Sequence, residues 1–511
     1  MDLETLLSFD WGKMAPEFTI LIAAVALSLI DLFVPRRVAR RPFAWLALLG
    51  VAVAFLFCVG QIGTPVTTIL AGTYRLDSFA VAFKLLLLIG TGFVLLMSSG
   101  YDQKGDIRYR GEFYYLLLTA LLGAMMLTSS ADMITLFVSL ELLSLSSYIM
   151  AGLRKNDPES NEAALKYVIN GGIATAVFLF GMSYIYGLSG TTNLYEMAGA
   201  LAGQHPLIFD HRFLLVFAYI LIFVGFSFKL TAVPFHMWAP DVYEGAPTPV
   251  TAFLSVVSKT AGFVLVLRFL ILAFMYAPGI EVSAKGGPEL VFQSAGPYIA
   301  VFASLAMVIG NTAALKQKNM KRLFAYSGIA QAGYVLVPFV SLTQLTIGNV
   351  WFYLFVYLFM NLGAFAVIQT VAEKEGNADI SGFTGLSRRS PWMAAAMAVF
   401  LISLAGIPAT AGFIGKFNIL VEAVVSGRIW LASVMIGTTV ISYFYYFGVI
   451  VKMYQPSAGR REKTPFSPGA GIVVWCCVIG TLAFGLFPDT ALGFLHDYLP
   501  FNSFFESEIG K

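Results

Sequence analysis

Seven ionisable side chains in the long apolar stretches of this 511-residue chain are candidates for chemistry. They are Lys84, Glu141, Lys166, Lys229, Lys259, Arg268 and Lys416. A charge at the centre of a membrane helix costs roughly 2.5–3.5 kcal/mol on insertion scales, so residues kept there are functional candidates by default. Desolvation pushes a buried lysine towards its neutral form, and a nearby carboxylate pushes it back towards the charged form. A pair such as Glu141 and Lys229 could therefore take up and release protons, which predicts a proton relay.

The seven positions differ in their distance from the ends of their stretches. Arg268 lies at an end, and we expect its long side chain to reach the interface in a structural role. Lys166 is the fourth residue of its stretch, so an interfacial role and a functional role stay equally open. Lys84 is central, yet it could pair with an acidic residue of a partner. The residues predicted to carry the relay are Glu141, Lys229, Lys259 and Lys416, together with His236.

The composition shows what kind of protein must position these residues. Hydrophobic residues make up 58% of the chain and charged residues 12%, and the mean hydropathy is +0.79. A soluble domain carries about 25% charged residues, so this chain cannot cover a soluble surface of its size. Only helices and closed barrels span lipid, and the apolar stretches here are continuous rather than alternating. The sequence predicts an all-α polytopic membrane protein.

We predict about fourteen transmembrane helices, because roughly 20 apolar residues cross a bilayer. They centre on 17–34, 43–60, 76–100, 112–129, 131–152, 163–188, 213–234, 247–270, 294–315, 323–341, 345–372, 391–421, 430–454 and 470–496. Loops after odd-numbered spans hold 20 of the 32 Lys and Arg residues, and the opposite side, with both termini, holds 6. Because cytoplasmic loops carry the excess of basic residues, both termini are predicted outside.

Two spans are predicted to be broken beside a lysine. Pro234 follows Lys229 by five residues, and Pro408 precedes Lys416 by eight. Proline removes a backbone donor and clashes with the preceding turn. Two ordinary kinks would explain this, but the breaks fall in the seventh and twelfth spans, and paired interruptions point to an inverted-repeat transporter. We therefore predict two inverted five-helix repeats, 111–272 and 290–455, after an N-terminal three-helix segment, 1–110, and before a last helix and tail, 456–511.

Cofactor ligands are sparse in the sequence. The three cysteines, Cys58, Cys476 and Cys477, lie in apolar stretches, and no CxxC pair, HExxH motif or Cys/His cluster occurs. An iron–sulfur centre, haem or zinc site would need such ligands. The net charge of +3 gives no reason to expect a nucleic-acid partner. We expect no cofactor or metal in this chain, and the lipid bilayer as its surroundings.

Four segments resemble a known family, the antiporter-like membrane subunits of respiratory complex I and of multisubunit cation/proton antiporters. The longest is PFHMWAPDVYEGAPTPVTAFLSVVSKTAGF at 234–263. The others are LFVSLELLSLSSY at 136–148, KRLFAYSGIAQAGY at 321–334 and ATAGFIGKF at 409–417. The resemblance extends from about residue 75 onward. Lys416 in the twelfth span favours the subunit N branch, because subunit M usually has glutamate there.

The resemblance implies roles for single residues. It matches Glu141 to the glutamate of the fifth span, Lys229 and Lys259 to lysines of the seventh and eighth, and Lys416 to the residue of the twelfth. Lys166 and His236 match secondary polar members of the relay, whereas Lys84 has no counterpart that we can assign. Proton translocation would then be driven by quinone reduction in partner subunits, which would hold the NAD, flavin, iron–sulfur and quinone sites.

Other expectations follow from the same resemblance. The partners would be the other complex I membrane subunits, including homologous antiporter-like subunits and small membrane subunits. The location would be the bacterial inner (plasma) membrane, with the thylakoid membrane as the alternative. Two rival functions stay open: a subunit of a Na⁺/H⁺ antiporter with no link to NADH, and a structural subunit whose Lys and Glu residues form static salt bridges.

Overall fold

The computed structural model describes residues 8–35, 38–101, 111–202, 212–274, 277–282, 288–343, 345–456 and 464–504. Within these ranges, thirteen helices are long and apolar enough to cross a membrane. They are α1 (Ala15–Phe33), α2 (Arg41–Gly60), α3 (Ser78–Ser98), α4 (Glu112–Ser129), α5 (Met133–Ala151), α6 (Pro158–Ser189), α8 (Arg212–Leu230), α10 (Thr248–Phe274), α11 (Val291–Ala314), α12 (Met320–Leu336), α13 (Thr346–Glu375), α17 (Ile429–Tyr454) and α18 (Pro468–Leu486). An all-helical, multi-pass membrane fold is thereby confirmed.

Shorter elements connect these helices. The short helices are α7 (Leu194–Ala202), α9 (Trp238–Gly245), α14 (Leu386–Arg389), α15 (Pro391–Ala405), α16 (Ala411–Val425) and α19 (Asp489–Tyr498). Single 3₁₀ turns cover Trp11–Met14, Val337–Val340, Ile380–Phe383 and Phe501–Phe504. Two antiparallel hairpins, which the sequence did not predict, pair β1 (Thr67–Ile69) with β2 (Tyr74–Leu76) and β3 (Pro278–Val282) with β4 (Pro288–Leu290).

The predicted twelfth span consists of two half-helices, α15 and α16. Each has 15 residues, about 22 Å at 1.5 Å per residue, which is too short to cross a bilayer alone. The segment between them contains Gly406 and Ala409, both with positive φ. The predicted break near Pro408 is confirmed. The count of fourteen spans stays a prediction, since it depends on treating the two halves as one span.

The predicted seventh span is also interrupted. Helix α8 ends at Leu230, residues 231–237 are not helical, and α9 follows. Thr231 has a φ of 58°, which a helix does not allow. The break predicted near Pro234 is therefore confirmed, and both broken segments lie beside a candidate lysine.

Helix α10 is the most enclosed of the long helices, since every residue from Thr248 to Phe274 is buried. It contains two π-helical turns, Leu254–Ser258 and Leu267–Ile271. Such turns widen the helix locally and occur frequently at functional sites. Lys259 immediately follows the first of them. No sequence pattern used above predicted these turns.

Backbone contacts in the two halves of the molecule recur. The start of α5 is bridged to the segment after α6 at Asp132–Asn193, and the start of α12 is bridged to the segment after α13 at Asn319–Asp379. Both α6 and α13 end at a glycine with left-handed backbone. These paired features support the predicted five-helix repeats, which remain a prediction together with their boundaries.

The last predicted span is longer than the helix that the structure shows. The sequence suggested one span over 470–496, whereas α18 ends at Leu486 and α19 begins at Asp489. Pro488 lies between them, and it has no backbone N–H to continue the hydrogen bonding of α18. Helix α19 is thus a separate, amphipathic element, and Leu495 on its inner face is buried.

Candidate functional site

Lys229 lies at the broken end of α8. Its side chain is 5% exposed, and its Nζ donates a hydrogen bond to the hydroxyl of Ser144 on α5 at 3.2 Å. Glu141 lies one turn earlier on α5 and accepts a hydrogen bond from Thr175 Oγ1 at 2.9 Å. Among the described residues, no ion pair within 4.0 Å joins Glu141 to Lys229. Instead of the direct pair that the sequence suggested, Lys229 binds Ser144 and Glu141 binds Thr175.

Glu141 is less deeply placed than the sequence indicated. Its side chain is only partly buried, and Val138 and Leu145 beside it on α5 are 58% and 54% exposed. The apolar surface around Glu141 faces outwards from the chain, towards lipid or a neighbouring subunit. The carboxylate thus forms the edge of the site, and Lys229 lies further inside.

Lys259 lies in the interior on α10, 4% exposed. Its Nζ donates a hydrogen bond to the backbone carbonyl of Gly328 on α12 at 2.7 Å. A Cβ at position 328 would lie 2.9 Å from that nitrogen, so a larger residue there would make the ammonium group shift. The predicted central position of Lys259 is confirmed, and its partner is backbone.

Lys416 uses the carbonyl groups that the break in the twelfth span releases. Its Nζ donates to the carbonyl of Leu404 at 2.7 Å and lies 3.5 Å from that of Ala405. These are the last residues of α15, where the helix dipole favours a cation. The same nitrogen lies 4.7 Å from the centre of the Tyr334 ring, which also favours a cation.

Helix α12 contacts both Lys259 and Lys416, through the Gly328 carbonyl and the Tyr334 ring. Gln331 lies one turn after Gly328 and donates from Nε2 to the Leu404 carbonyl at 3.2 Å, the same oxygen that Lys416 binds. The hydroxyl of Tyr353 on α13 donates to the side-chain oxygen of Gln331. Neither Gln331 nor Tyr353 was predicted, although Gln331 lies within the segment 321–334 that carried the resemblance.

The three central lysines share a property that Lys84, Lys166 and Arg268 lack. Among the described residues, no carboxylate lies within 4.0 Å of Lys229, Lys259 or Lys416, and each nitrogen binds only a hydroxyl or carbonyl oxygen. A buried charge is usually paired. A lysine with neutral partners can exchange its proton without leaving an opposite charge stranded, so these three fit a relay.

Lys166 belongs to a different, more exposed group. Its side chain is 40% exposed and forms ion pairs with Glu162 at 2.5 Å and with Asp241. Asp241 also binds Arg322 at 2.6 Å, and Arg322 binds Glu244 at 2.8 Å. The structure therefore places Lys166 in an ion-pair network of partly exposed groups rather than beside Lys229.

His236 lies in the interrupted segment after α8. Its ring is partly buried, and its Nδ1 is buried without a hydrogen-bond partner among the described residues. The prediction that it is a secondary member of the relay stays a prediction. His205 and His211 lie outside the described residues.

Lys84 pairs within its own chain. Its Nζ lies 2.6 Å from Glu17 Oε1 and donates to the Tyr74 hydroxyl at 2.9 Å. Lys84 and Glu17 are both buried. The expectation that its acidic partner would belong to another subunit is wrong, because α1 brings Glu17 against α3.

Arg268 is enclosed rather than interfacial. It is fully buried and binds both carboxylate oxygens of Asp77 at 2.7 Å, while its Nε donates to the Thr128 carbonyl at 2.9 Å. The expectation that its side chain reaches the interface is wrong. Asp77, at the start of α3, neutralises the Arg268 guanidinium inside the protein. A structural role for Arg268 agrees with this pairing.

Comparisons with known proteins decide the family. A family model described as "NADH:quinone oxidoreductase/Mrp antiporter, TM" matches residues 130–442, which include all four predicted relay residues. NADH-quinone oxidoreductase subunit N of Anoxybacillus flavithermus is 54% identical over 508 residues, covering 99% of this chain and 100% of that relative. The chain belongs to this family. The resemblance noted from the sequence, including its subunit N branch, is thereby confirmed.

Solved structures extend the comparison. A chain of respiratory complex I from Thermus thermophilus with bound aureothin aligns with a TM-score of 0.75 at 31% identity, covering 94% of this chain and 98% of that one. A chain of the Mrp complex from Dietzia sp. aligns with a TM-score of 0.78 at 17% identity, covering 96% of both chains. The second likeness shows a shared fold only. Lys84 and Glu17 lie outside the family match.

Proposed function

We propose that this chain is a proton-translocating subunit of the membrane arm of NADH:quinone oxidoreductase, coupled to quinone reduction elsewhere in that complex. The observation that carries the proposal is a set of three buried lysines with no acidic partner among the described residues. Lys229 lies at a helix break, Lys259 follows a π-helical turn, and Lys416 binds a carbonyl at the end of α15. Names of relatives such as subunit N of Anoxybacillus flavithermus and the likeness to a complex I chain support it. The chain would act as part of a translocase whose redox chemistry lies in other subunits.

The proposed route crosses the chain from one broken segment to the other. Protons would be taken up from the basic, cytoplasmic side towards Lys229 and Glu141, pass to Lys259, and leave outwards near Lys416. Gln331 and Lys416 donate to the same Leu404 carbonyl, and Gln331 lies one turn after Gly328, whose carbonyl binds Lys259. These contacts support passage between Lys259 and Lys416. The direction depends on the sidedness that the Lys and Arg count predicts, with both termini outside.

The redox groups are proposed to lie in partner subunits. Within the described residues, no group of three or more His, Cys, Asp or Glu side chains could hold a metal ion, and the three cysteines, Cys58, Cys476 and Cys477, are free. NAD, flavin, iron–sulfur and quinone sites would then belong to the neighbours, among them homologous antiporter-like and small membrane subunits. The membrane would be the plasma membrane of a bacterium rather than a thylakoid.

The relay is tested in the assembled complex. We expect Lys229→Ala and Glu141→Gln to lower proton pumping by about tenfold or more, because a positioned acid–base group contributes on the order of 10²–10⁴ in rate. The measurement is NADH-driven acidification of proteoliposomes per assembled complex. Lys452→Ala, at an exposed lysine near the end of α17, is the matched control. Normal pumping by either relay variant in an intact complex would refute the proposal.

A second function, a subunit of a Na⁺/H⁺ antiporter, is favoured by one observation. The family model covers Mrp antiporters, and a chain of the Mrp complex from Dietzia sp. shares the fold. Proteoliposomes given a Na⁺ gradient and no NADH separate the two functions. Proton flux driven by Na⁺ alone would favour the antiporter, and flux that requires NADH and quinone would favour the first proposal. Neighbouring reading frames that encode flavin and iron–sulfur subunits would also favour the first.

A further inference from the structure

Glu422 on α16 is a buried carboxylate that the route described above does not use. It is 4% exposed. Its Oε1 accepts hydrogen bonds from Thr343 Oγ1 and Thr346 Oγ1, each at 2.6 Å, and its Oε2 accepts one from Asn349 Nδ2 at 2.6 Å. Among the described residues, no basic group lies within 4.0 Å of it. Glu422 is therefore the acidic equivalent of the three lysines, a buried ionisable group with neutral partners only.

The partners of Glu422 suit both of its protonation states. A threonine hydroxyl rotates freely and either donates or accepts a hydrogen bond. The carboxylate is stabilised while the hydroxyls of Thr343 and Thr346 donate to it, and a protonated Glu422 can donate to one of them instead. A carboxylate in an ion pair would be fixed in its charged state, because its protonation would leave the buried cation without a counter-charge. The site can hold a proton and give it up without a rearrangement of helices.

Glu422 also lies between Lys416 and the predicted outer side. It follows Lys416 by six residues on α16, about 9 Å along the helix axis. Helix α16 ends three residues later, and Arg428 in the next loop belongs to the side that the Lys and Arg count assigns to the outside. Thr343 and Asn349 are only partly buried, so the carboxylate lies next to groups that reach the surface.

Helix α13 supplies polar groups between the two residues. Gly415, next to Lys416, packs on the ring of Tyr353, and the Tyr353 hydroxyl binds Gln331, which shares the Leu404 carbonyl with Lys416. Asn349 lies one turn before Tyr353 on the same helix and binds Glu422. One turn separates side chains by about 5–6 Å, a gap that a single water molecule can bridge.

We propose that Glu422 accepts the proton that leaves Lys416 and releases it on the outer side; this inference rests on the proposed function. The Lys416 ammonium loses a proton through water and the Tyr353 hydroxyl and becomes an amine. The Glu422 carboxylate gains that proton and becomes a carboxylic acid. The acid then returns the proton to outer water past Thr343 and Asn349, and Lys416 is protonated again from the side of Lys259.

The competing explanation is a static one. Thr346 and Asn349 lie in the first turn of α13, where helix dipoles favour a carboxylate. On this explanation, the hydrogen bonds of Glu422 only hold α13 against α16. A static fastener predicts that substitutions lower the amount of assembled complex or its thermal stability. It does not predict a lower proton flux per assembled complex. The two explanations therefore differ in a measurable quantity.

The test uses the whole complex in proteoliposomes, with NADH-driven proton flux measured per assembled complex. Glu422→Gln keeps the size and hydrogen-bonding capacity and removes the titratable group, and we expect flux to fall by about tenfold or more. Glu422→Asp keeps a carboxylate and is expected to restore most of the flux. Glu196→Gln is the matched control, because Glu196 also accepts a hydrogen bond from a threonine, Thr191, at 2.6 Å but is exposed; its flux should be unchanged.

Several results would overturn the role of Glu422. Flux within about twofold of the unmodified complex in Glu422→Gln would do so, because removal of a required acid–base group costs far more. Equal loss of assembly in Glu422→Gln and Glu422→Asp with normal flux per complex would establish the static fastener. If Glu422→Gln does not assemble, Tyr353→Phe is measured instead, with reduced flux supporting the route and normal flux refuting it.

The same experiment separates this inference from the proposed function. If Lys229→Ala abolishes pumping and Glu422→Gln leaves it intact, the relay stands and only the Glu422 step is wrong. If both variants pump normally, the proposed function itself fails.

Discussion

At the scale of single residues, the partner of each charge distinguishes structure from proton transfer. Lys84 and Arg268 each bind a buried carboxylate of the same chain, and such pairs fix both charges. Within the part of the chain that the structure describes, Lys229, Lys259 and Lys416 bind neutral oxygens only. Burial alone does not separate these sets, because all five are at most 6% exposed. The two sets differ in what the loss of a proton from the side chain would leave behind. In the first set a buried carboxylate would remain without its cation, and in the second set no charge would remain.

A prediction at this scale concerns the glycine that faces Lys259. Gly328→Ala would place a methyl group 2.9 Å from the Lys259 nitrogen and displace it from its carbonyl partner. We expect slower proton pumping with normal assembly, measured as proton flux per assembled complex in proteoliposomes. Gly437→Ala in α17, where a Cβ meets nothing within 4 Å, is the control. Identical flux in both variants would show that the contact between Lys259 and Gly328 is dispensable.

At the scale of elements, the breaks in helices provide the polar groups that the lysines use. The end of α15 offers carbonyl oxygens to Lys416, and a continuous helix would have used them internally. Non-helical backbone at membrane depth is tolerated only where it is buried in protein or lines water. The sequence predicted both breaks because proline acts locally on its own turn. It did not predict the π-helical turn before Lys259, since that depends on how α10 packs.

A prediction at this scale concerns the backbone of the second break. Gly406 has a φ of 82°, and its Cβ would lie 3.0 Å from the Lys416 side chain. Gly406→Ala should cost about 1–2 kcal/mol in backbone strain and move Lys416, so proton flux should fall. Gly427→Ala has comparable strain, with a φ of 73°, but nothing lies near its Cβ. Equal flux in the two variants would mean that strain alone explains the loss.

At the scale of the whole molecule, helix α1 is held against α3 by buried polar groups. Glu17 on α1 binds Lys84 on α3, and the Tyr74 hydroxyl donates to Glu17 at 3.2 Å and accepts from Lys84. Burial raises the pKa of Tyr74 to about 12, so the phenol stays neutral and keeps both contacts. Membrane helices associate through packing and polar contacts rather than a hydrophobic driving force. This cluster therefore holds α1 in place.

The cluster gives a prediction about stability. Lys84→Met leaves Glu17 buried without its cation, and Glu17→Leu leaves Lys84 without its anion. Each should destabilise the protein by about 3–5 kcal/mol, and the double variant should lose much less. The measurement is the thermal inactivation midpoint of the purified complex at a fixed heating rate. Additive losses in the double variant would show that the two charges act independently.

The sequence by itself determined the membrane class, the position of nearly every helix, both breaks and the central lysines. These follow from local properties: the length of an apolar run, the chemistry of proline and the cost of a charge in lipid. Only the tertiary structure decided which group meets which: Ser144 rather than Glu141 beside Lys229, Glu17 beside Lys84, Asp77 beside Arg268, and Gln331 on the carbonyl that Lys416 binds. Those partners lie far apart in the chain, and apolar helix surfaces resemble one another too closely for a sequence pattern to specify how they pack.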